Sequence, residues 1–380
     1  MDLERRKQER EKSKLDAIKA SMHEHQKEEL VRRAQKLKER QERKENLDLL
    51  PKVGLDDVPA DIRVPSPQVR SLNGDRRLTT YAAGTNGIVY HQVVTRLGEL
   101  PPGQLYHLPL YTQLVSEVGS AGRDYLETQH LQHGTTGGIN VFTAVRAAID
   151  DVNSPSAFLT FSSRTLNRKA TDMIRLLRDT SGDARFDELG RIRDLVSQSR
   201  ARRRAAVTNS GHVYAMAAAA SALRPISWLN HQLTGLPGLL RLMALDDDLQ
   251  DRERLAEFAD SLAALHDYVR ASEKQFLVIS DQDFLDEAVS RTEAVWQEGP
   301  DCIPAKEFNI LPGKSSGNQA WLLNTQVNFC AMAFPTVAET HSDSAALTVL
   351  AGVLGNSYLH GAIREQGGAY GAGAGHDTGS

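Results

Sequence analysis

The chain has 380 residues, 40% of them hydrophobic and 25% charged, with a formal net charge of −4. This is the balance of a globular protein of about two or three domains, and it excludes the basic surface of a nucleic-acid binder or a membrane-surface protein. No apolar run reaches the roughly 18 residues of a membrane span, and the charged N-terminus offers no secretory h-region. Two cysteines, Cys302 and Cys330, fit a reducing compartment: the cytoplasm is expected, or an organelle such as the mitochondrion if a transit peptide lies upstream.

Residues 1–46 are dominated by Lys, Arg, Glu and Gln without proline or glycine, which predicts long, solvent-exposed helix. Leu15, Ile18 and Met22 form one apolar stripe and Leu30, Ala34 and Leu37 another. Between them Ser21-Met-His-Glu24 has the form of a capping box, so a second helix is expected to start there and make an antiparallel hairpin with the first. A coiled coil needs three or four regular heptads, and the stripe breaks between Met22 and Leu30. A basic nucleic-acid arm fails too, because acidic residues nearly match basic ones and no aromatics interleave.

Residues 49–67 change to Pro, Gly, Asp and Val and predict an extended connector. Residues 78–81 and 88–95 are β-rich runs around Gly84-Thr-Asn-Gly87, which predicts a hairpin. Helices are expected over 105–118 and 125–131, strands over 139–147 and 157–163, and helix again over 165–178, where Met173, Ile174 and Leu177 share a side. That order gives an α+β class with helices packed on one sheet face. Residues 185–268 read as nearly all helix, with small residues at 215–222 suggesting close packing. A short buried strand follows at 276–279, a helix at 281–297, a loop at 298–317, and a long β run at 320–334.

The stretch that looks chemical comes last. Apolar residues at helical spacing run from Leu347 through Leu350, Val353, Leu354, Tyr358, Leu359 and Ile363, and Gly367-Gly368 would stop that helix in left-handed geometry. Arg364 in its last turn and Tyr370 beyond the glycines would then point into one space, a forked donor beside a phenol able to stabilise an oxyanion. The plainer reading makes Arg364 a surface cation near a helix C-terminus, Tyr370 a strand core residue, and the glycines a tight turn.

Ile363-Arg-Glu-Gln-Gly-Gly-Ala-Tyr-Gly371 resembles the signature near the C-terminus of pitrilysin-type zinc peptidases, in particular the presequence protease and falcilysin branch. Leu55-Asp-Asp-Val-Pro59, Thr85-Asn-Gly-Ile-Val-Tyr90, Leu108-Pro-Leu-Tyr111 and Thr136-Gly-Gly-Ile139 are similar to words that recur in this order in the same branch, and a charged helical hairpin joins its two halves. The resemblance implies that Arg364 and Tyr370 hold the substrate backbone and polarise the scissile carbonyl, reaching across a closed chamber to a zinc site on the N-terminal half.

Other constellations carry little. Neither His-x-x-Glu-His nor His-Glu-x-x-His occurs, and the pairs His130/His133 and His23/His25 read as ordinary surface or packing histidines, so no zinc site is expected on this chain. Gly313-Lys-Ser-Ser316 resembles the end of a phosphate loop, but Phe308 stands where its first glycine is needed. Gly371-Ala-Gly-Ala-Gly375 lacks the strand-before, helix-after context of a dinucleotide loop and reads as flexible or tightly packed backbone. No Gly-x-Ser-x-Gly elbow exists, the basic run 200–204 reads as a solvated helix face, and His212 has no assigned role.

The expected division is a charged helical hairpin linker (1–48), a third peptidase-like α+β domain with a long helical part (49–300), and the truncated start of a fourth (301–380). The expected function is the C-terminal half of a zinc metalloendopeptidase that degrades short unfolded peptides. Its catalytic residue here would be Tyr370, its substrate-binding residues Arg364 and Tyr370, and its zinc would be bound by an N-terminal half upstream of Met1. Partners would be that half and unfolded peptides, with no nucleic acid and no membrane. The rival reading is a non-catalytic peptidase-like subunit or scaffold that pairs with a catalytic partner.

Overall fold

The computed structural model describes residues 2–43, 49–62, 64–72, 76–100, 102–149, 151–297, 303–304, 306–310 and 318–379. They form two compact units, Met1–Val64 and Pro65–Ser380.

In the first unit, α1 (Asp2–Ser21) and α2 (Glu24–Glu42) are separated by a break at Met22 and His23. The break falls where the sequence places it, but the cap differs. Ser21 Oγ donates back to Ile18 O at 2.8 Å and finishes α1, whereas the His23 N–H donates to Gln26 Oε1 at 3.0 Å at the start of α2. The stripe residues Leu15, Ile18, Leu30 and Leu37 stay exposed, so helix here rests on propensity and on pairs such as Lys27–Glu24 (3.2 Å). The connector that follows is exposed and extended apart from one 3₁₀ turn, Leu55–Asp57, where Asp57 accepts from the Gly54 N–H at 2.8 Å.

The second unit is built on a six-stranded mixed sheet: β1 (Gln68–Leu72), β2 (Arg76–Ala82), β3 (Ile88–Leu97), β4 (Ile139–Ala147), β5 (Pro155–Leu166) and β6 (Lys274–Ser280), in the order β1-β2-β6-β3-β5-β4. Only β2–β6 is parallel. Strand alternation explains the layering. Val89, His91, Val93, Thr95 and Leu97 of β3 are buried on one face, while Ile88, Tyr90, Gln92 and Val94 are half-buried on the other. Helices cover the first face: α3 (Pro102–Leu114), α5 (Ala170–Gly182), α8 (Pro225–Thr234) and α11 (Gln282–Val295) lie against strands, while α4 (Tyr125–Thr135), α6 (Leu189–Asn209), α7 (Gly211–Ala220), α9 (Leu236–Asp248) and α10 (Arg252–Ala271) pack mainly on other helices. Phe161 and Phe276 from the sheet, Met173 and Leu177 from α5, and Leu262 and Leu265 from α10 lie in one continuous core.

Two expectations change within the sheet and its first helices. The predicted hairpin around residues 84–87 does not form, because β6 lies between β2 and β3 and pairs with both. The turn is real: Asn86 and Gly87 have φ of 54° and 77°. Its N–H groups point at Asp281, just past β6, rather than closing a two-strand ladder. The helix expected over 165–178 also starts later, since Thr165 and Leu166 complete β5 against β3.

The loop at 298–317 lies mostly outside the described residues. Its described part stays with the main core: the Ile303 N–H donates to Ala271 O at 2.8 Å, and Phe308 is buried. Residues 320–334, expected as a long strand, carry no β-pairing. A strand needs a neighbour for its N–H and C=O groups, and no described segment supplies one, leaving Leu322, Met332 and Phe334 largely exposed. Phe329 is half-buried, its ring lying where a β-carbon on Gly211 would sit, which is why the first residue of α7 is glycine, and Trp321 meets His231 edge-on.

The last helix, α12 (Ser344–Leu354), continues without a break into a π-helical run, Gly355–Gln366. Against the expectation from the apolar runs, this 23-residue helix is long and apolar enough, by length and composition, to cross a membrane. Alanines and glycines join apolar blocks that look separate when read linearly.

Candidate functional site

Arg364 and Tyr370 are set by how that last helix ends. The Gly367 and Gly368 N–H groups donate to Ala362 O and Arg364 O, the Ala369 N–H donates to Ile363 O, each at 3.1 Å, and Gly368 takes φ +72°. This is the glycine-terminated, left-handed end the sequence predicts, one residue wider because the final turns are π. Arg364 sits in the last turn with its side chain exposed, and Tyr370 follows on irregular backbone at 96% exposure. Neither side chain is hydrogen-bonded or ion-paired to a described residue, and no cation–π contact joins them. Both therefore have their full donor capacity available at the surface.

The backbone beyond Tyr370 is anchored. His376 Nε2 lies 2.7 Å from Thr336 Oγ1 and its Nδ1 3.0 Å from Thr348 Oγ1 on α12. Arg224, at the start of α8, donates to Thr336 O at 2.8 Å and Thr378 O at 3.2 Å. A β-carbon on Gly355 would lie 3.4 Å from the Ala374 nitrogen, so the chain passes close to the last helix there, but β-carbons on Gly371, Gly373 and Gly375 would meet nothing within 4 Å and the run is otherwise open backbone. The segment bearing Tyr370 is thus held at both ends, by the cap at Gly368 and by His376.

The remaining histidine candidates are exposed: His130 and His133 share α4, His25 lies in the first turn of α2 with His23 just before it, and His212 is on α7. Gly313-Lys-Ser-Ser316 lies outside the described residues, as does Cys302. Cys330 is an exposed free thiol. The basic run on α6 is divided: Arg200 pairs with Asp246 and Asp247 of α9, and Arg203 donates to Thr234 O, whereas Arg202 and Arg204 are solvated.

Three polar arrangements, the first two buried and the third at the surface, were not foreseen from the sequence. Tyr111 Oη bonds His266 Nδ1 at 2.9 Å, His91 Nδ1 bonds Leu277 O at 3.1 Å while its ring stacks on Phe276, and Asp281 accepts three backbone N–H bonds. Burial lowers both histidines to a pKa of about 4, so each is neutral near pH 7. The Gly87 amide, the largest of several donors, holds the Asp281 carboxyl below its ordinary value. The alternation of β3 marks His91 as core-facing in sequence, but nothing local signals the other two.

The associated region of the M16 peptidases of subfamily C matches residues 1–245, and the peptidase M16 inactive domain matches residues 297–380. The chain belongs to the presequence protease family, subfamily C of the M16 peptidases. It is 27% identical to the mitochondrial presequence protease of Yarrowia lipolytica over 381 residues, covering 99% of this chain and 38% of that protein. Against the mitochondrial presequence protease of Emericella nidulans it is 29% identical over 365 residues, covering 91% and 34%. With the chloroplastic/mitochondrial presequence protease 1 of Arabidopsis thaliana it shares 26% over 376 residues, covering 95% and 33%. The chain thus spans well under half the length of these relatives, and it aligns to their C-terminal part. Among solved structures, a protease from Helicobacter pylori aligns with TM-score 0.46 at 12% identity, covering 83% of this chain and 72% of that one. The peptidase M16 inactive domain from Pseudomonas fluorescens aligns with TM-score 0.44 at 13%, covering 80% and 69%.

Membership of this peptidase family raises the question of a metal, and the described residues do not fit one. No group of three His, Cys, Asp or Glu side chains among them is placed to hold an ion. The buried His266 is engaged at both ring nitrogens, to Tyr111 and to the Ala184 N–H. His107, whose pKa is lowered by burial, bonds Ser261 Oγ at 2.9 Å and meets Phe258 edge-on, a packing role.

Proposed function

We propose that this chain is the C-terminal part of a zinc metalloendopeptidase that degrades short unfolded peptides, contributing chamber wall together with Arg364 and Tyr370. The observation that carries this reading is the alignment of 99% of the chain with one presequence protease, combined with a capped helix end that leaves both side chains unpaired. Residues 1–48 would be the linker, 49–300 the third domain and 301–380 the beginning of the fourth.

In this reading Arg364 offers a forked pair of N–H donors to a peptide carbonyl, and the Tyr370 hydroxyl donates to the carbonyl oxygen as it gains charge. The metal would be held by an N-terminal half, outside the described residues. That half would also cover the apolar side chains left exposed on α12 and its continuation, including Val349, Val353 and Tyr358.

The test is peptide cleavage by this chain combined with an N-terminal half bearing His-x-x-Glu-His. Tyr370→Phe is expected to lower kcat by about 10²–10³, the usual cost of one oxyanion donor. An unchanged kcat removes Tyr370 from the chemistry. A combination that binds peptide and never cleaves it favours the non-catalytic subunit instead.

A further inference from the structure

β4 is an edge of the sheet, paired with β5 on one side and with no described strand on the other. In an antiparallel pair alternate residues turn their N–H and C=O toward the partner, and those between turn theirs away. Two bonds identify the two sets. The Ala148 N–H donates to Ser154 O at 2.9 Å, continuing the register that sets Ala147 opposite Pro155, so even-numbered residues face β5. The Ala147 N–H donates the other way, to Gly379 O at 3.3 Å. The register runs unbroken from Ile139 to Ala147, so Ile139, Val141 and Thr143 also direct their backbone groups outward, and no described residue bonds them.

A groove of about 460 Å³ lies along this edge, lined by Ile139, Asn140 and Val141 of β4, by Gln198 and Arg202 of α6, and by the end of α3 and the turn after it, whose Glu117 carboxylate is already paired with Arg191. An unpaired edge beside a groove is a template for another backbone. Two observations define the occupant. Main chain from residue 379 already sits on the same edge at Ala147, so the edge accepts a carbonyl from outside the sheet. Arg202, unlike Arg200 with Asp246 or Arg191 with Glu117, has no ion-pair partner among the described residues, so one wall is an uncompensated cation.

We propose that this groove binds an extended peptide as an added strand on β4, its backbone bonded to Ile139, Val141 and Thr143 and an acidic side chain set against Arg202. The site needs neither a metal nor Arg364 and Tyr370, so it stands or falls separately from the peptidase reading.

The probe is a fluorescein-labelled eight-residue peptide alternating valine with threonine around one central glutamate, titrated into the full chain by anisotropy. Saturable binding is expected. N-methylating the peptide at one set of alternate residues should weaken it by about tenfold or more, and methylating the other set by less than about twofold, because only one set bonds the edge. Val141→Pro removes an outward N–H without touching the β5 ladder and should abolish binding. Arg202→Ala should weaken it about three- to fivefold, and replacing the glutamate by glutamine should add nothing further in that variant. Amide exchange should slow at Ile139, Val141 and Thr143. No saturable binding, equal sensitivity of the two methylation sets, or protection appearing on β1 instead would overturn the proposal. The methylated peptides keep the test decisive even if a protein variant misfolds.

Discussion

Tyr111 Oη and His266 Nδ1 meet 2.9 Å apart in the buried core between α3 and α10. His266 Nε2 accepts from the Ala184 N–H at 3.1 Å, so in the neutral ring Nδ1 carries the proton and donates to the phenol. The pair ties two helices and the loop after α5 together through one imidazole, and it works only while that ring is uncharged.

Stability should therefore fall on mild acidification. His266 and His91 are both lowered to about 4 by burial, against about 6.5 in the unfolded chain. The unfolded state takes up protons first, so their contribution is complete above about pH 6.5 and is lost as pH falls toward 4, on the order of 3 kcal/mol for each histidine. Thermal midpoints measured from pH 7 to 4.5 should drop steadily, and His91→Phe should flatten the slope. A midpoint independent of pH over that range contradicts the assignment.

Tyr111→Phe leaves the Nδ1–H of His266 buried without an acceptor, which costs about 1–3 kcal/mol. Urea unfolding should show a lower midpoint with an unchanged m-value. Loss confined to less than a few tenths of a kcal/mol would mean that water or another group replaces the phenol.

Asp281 accepts from the Thr85, Asn86 and Gly87 N–H groups at 2.8, 3.1 and 2.6 Å. Asp281→Ala should free the turn between β2 and β3, seen as faster amide exchange at those three residues and a lower thermal midpoint. Because the Asp281 carboxyl is held below its ordinary value, its contribution is present at neutral pH and disappears only as pH falls through the acidic carboxylate range. Asp281→Asn keeps part of the acceptor and should lie between the two.

Gly211→Val places a side chain where the Phe329 ring lies. The segment 318–334 has no β-pairing to hold it, so loss of this contact should release it to protease while the sheet core stays intact. Phe329→Ala should give the same cleavage pattern without strain in α7. Resistance of both variants would show that other contacts hold the segment.

Val349, Val353, Tyr358 and Leu322 expose apolar surface of the kind that marks an interface. The chain alone should self-associate in sedimentation, and Val349→Glu with Val353→Glu should reduce that association. A monodisperse chain unaffected by those changes would remove these residues from any interface.

Much of the fold is legible in local pattern. The strand Ile139–Ala147 is found with the bounds its alternation predicts, the helix break falls at Met22 and His23, and the last helix ends at Gly367-Gly368 with the left-handed turn those glycines allow. Each depends on residues within one or two turns of one another, where periodicity and special backbone angles act directly. The β run at 320–334 misled for the same reason: its residues suit a strand, but strand structure is a property of a pair.

What the sequence by itself determined was the kind of each element, the α+β class, and the family words around Arg364 and Tyr370. What only the tertiary structure decided was partnership: that β6 enters between β2 and β3, that Asp281 holds a turn 196 positions earlier in the chain, and that β4 is left at the edge beside Arg202. Element type follows from neighbours a few residues apart, whereas the choice of partner strand depends on which distant surfaces can be buried together, and no local pattern records that.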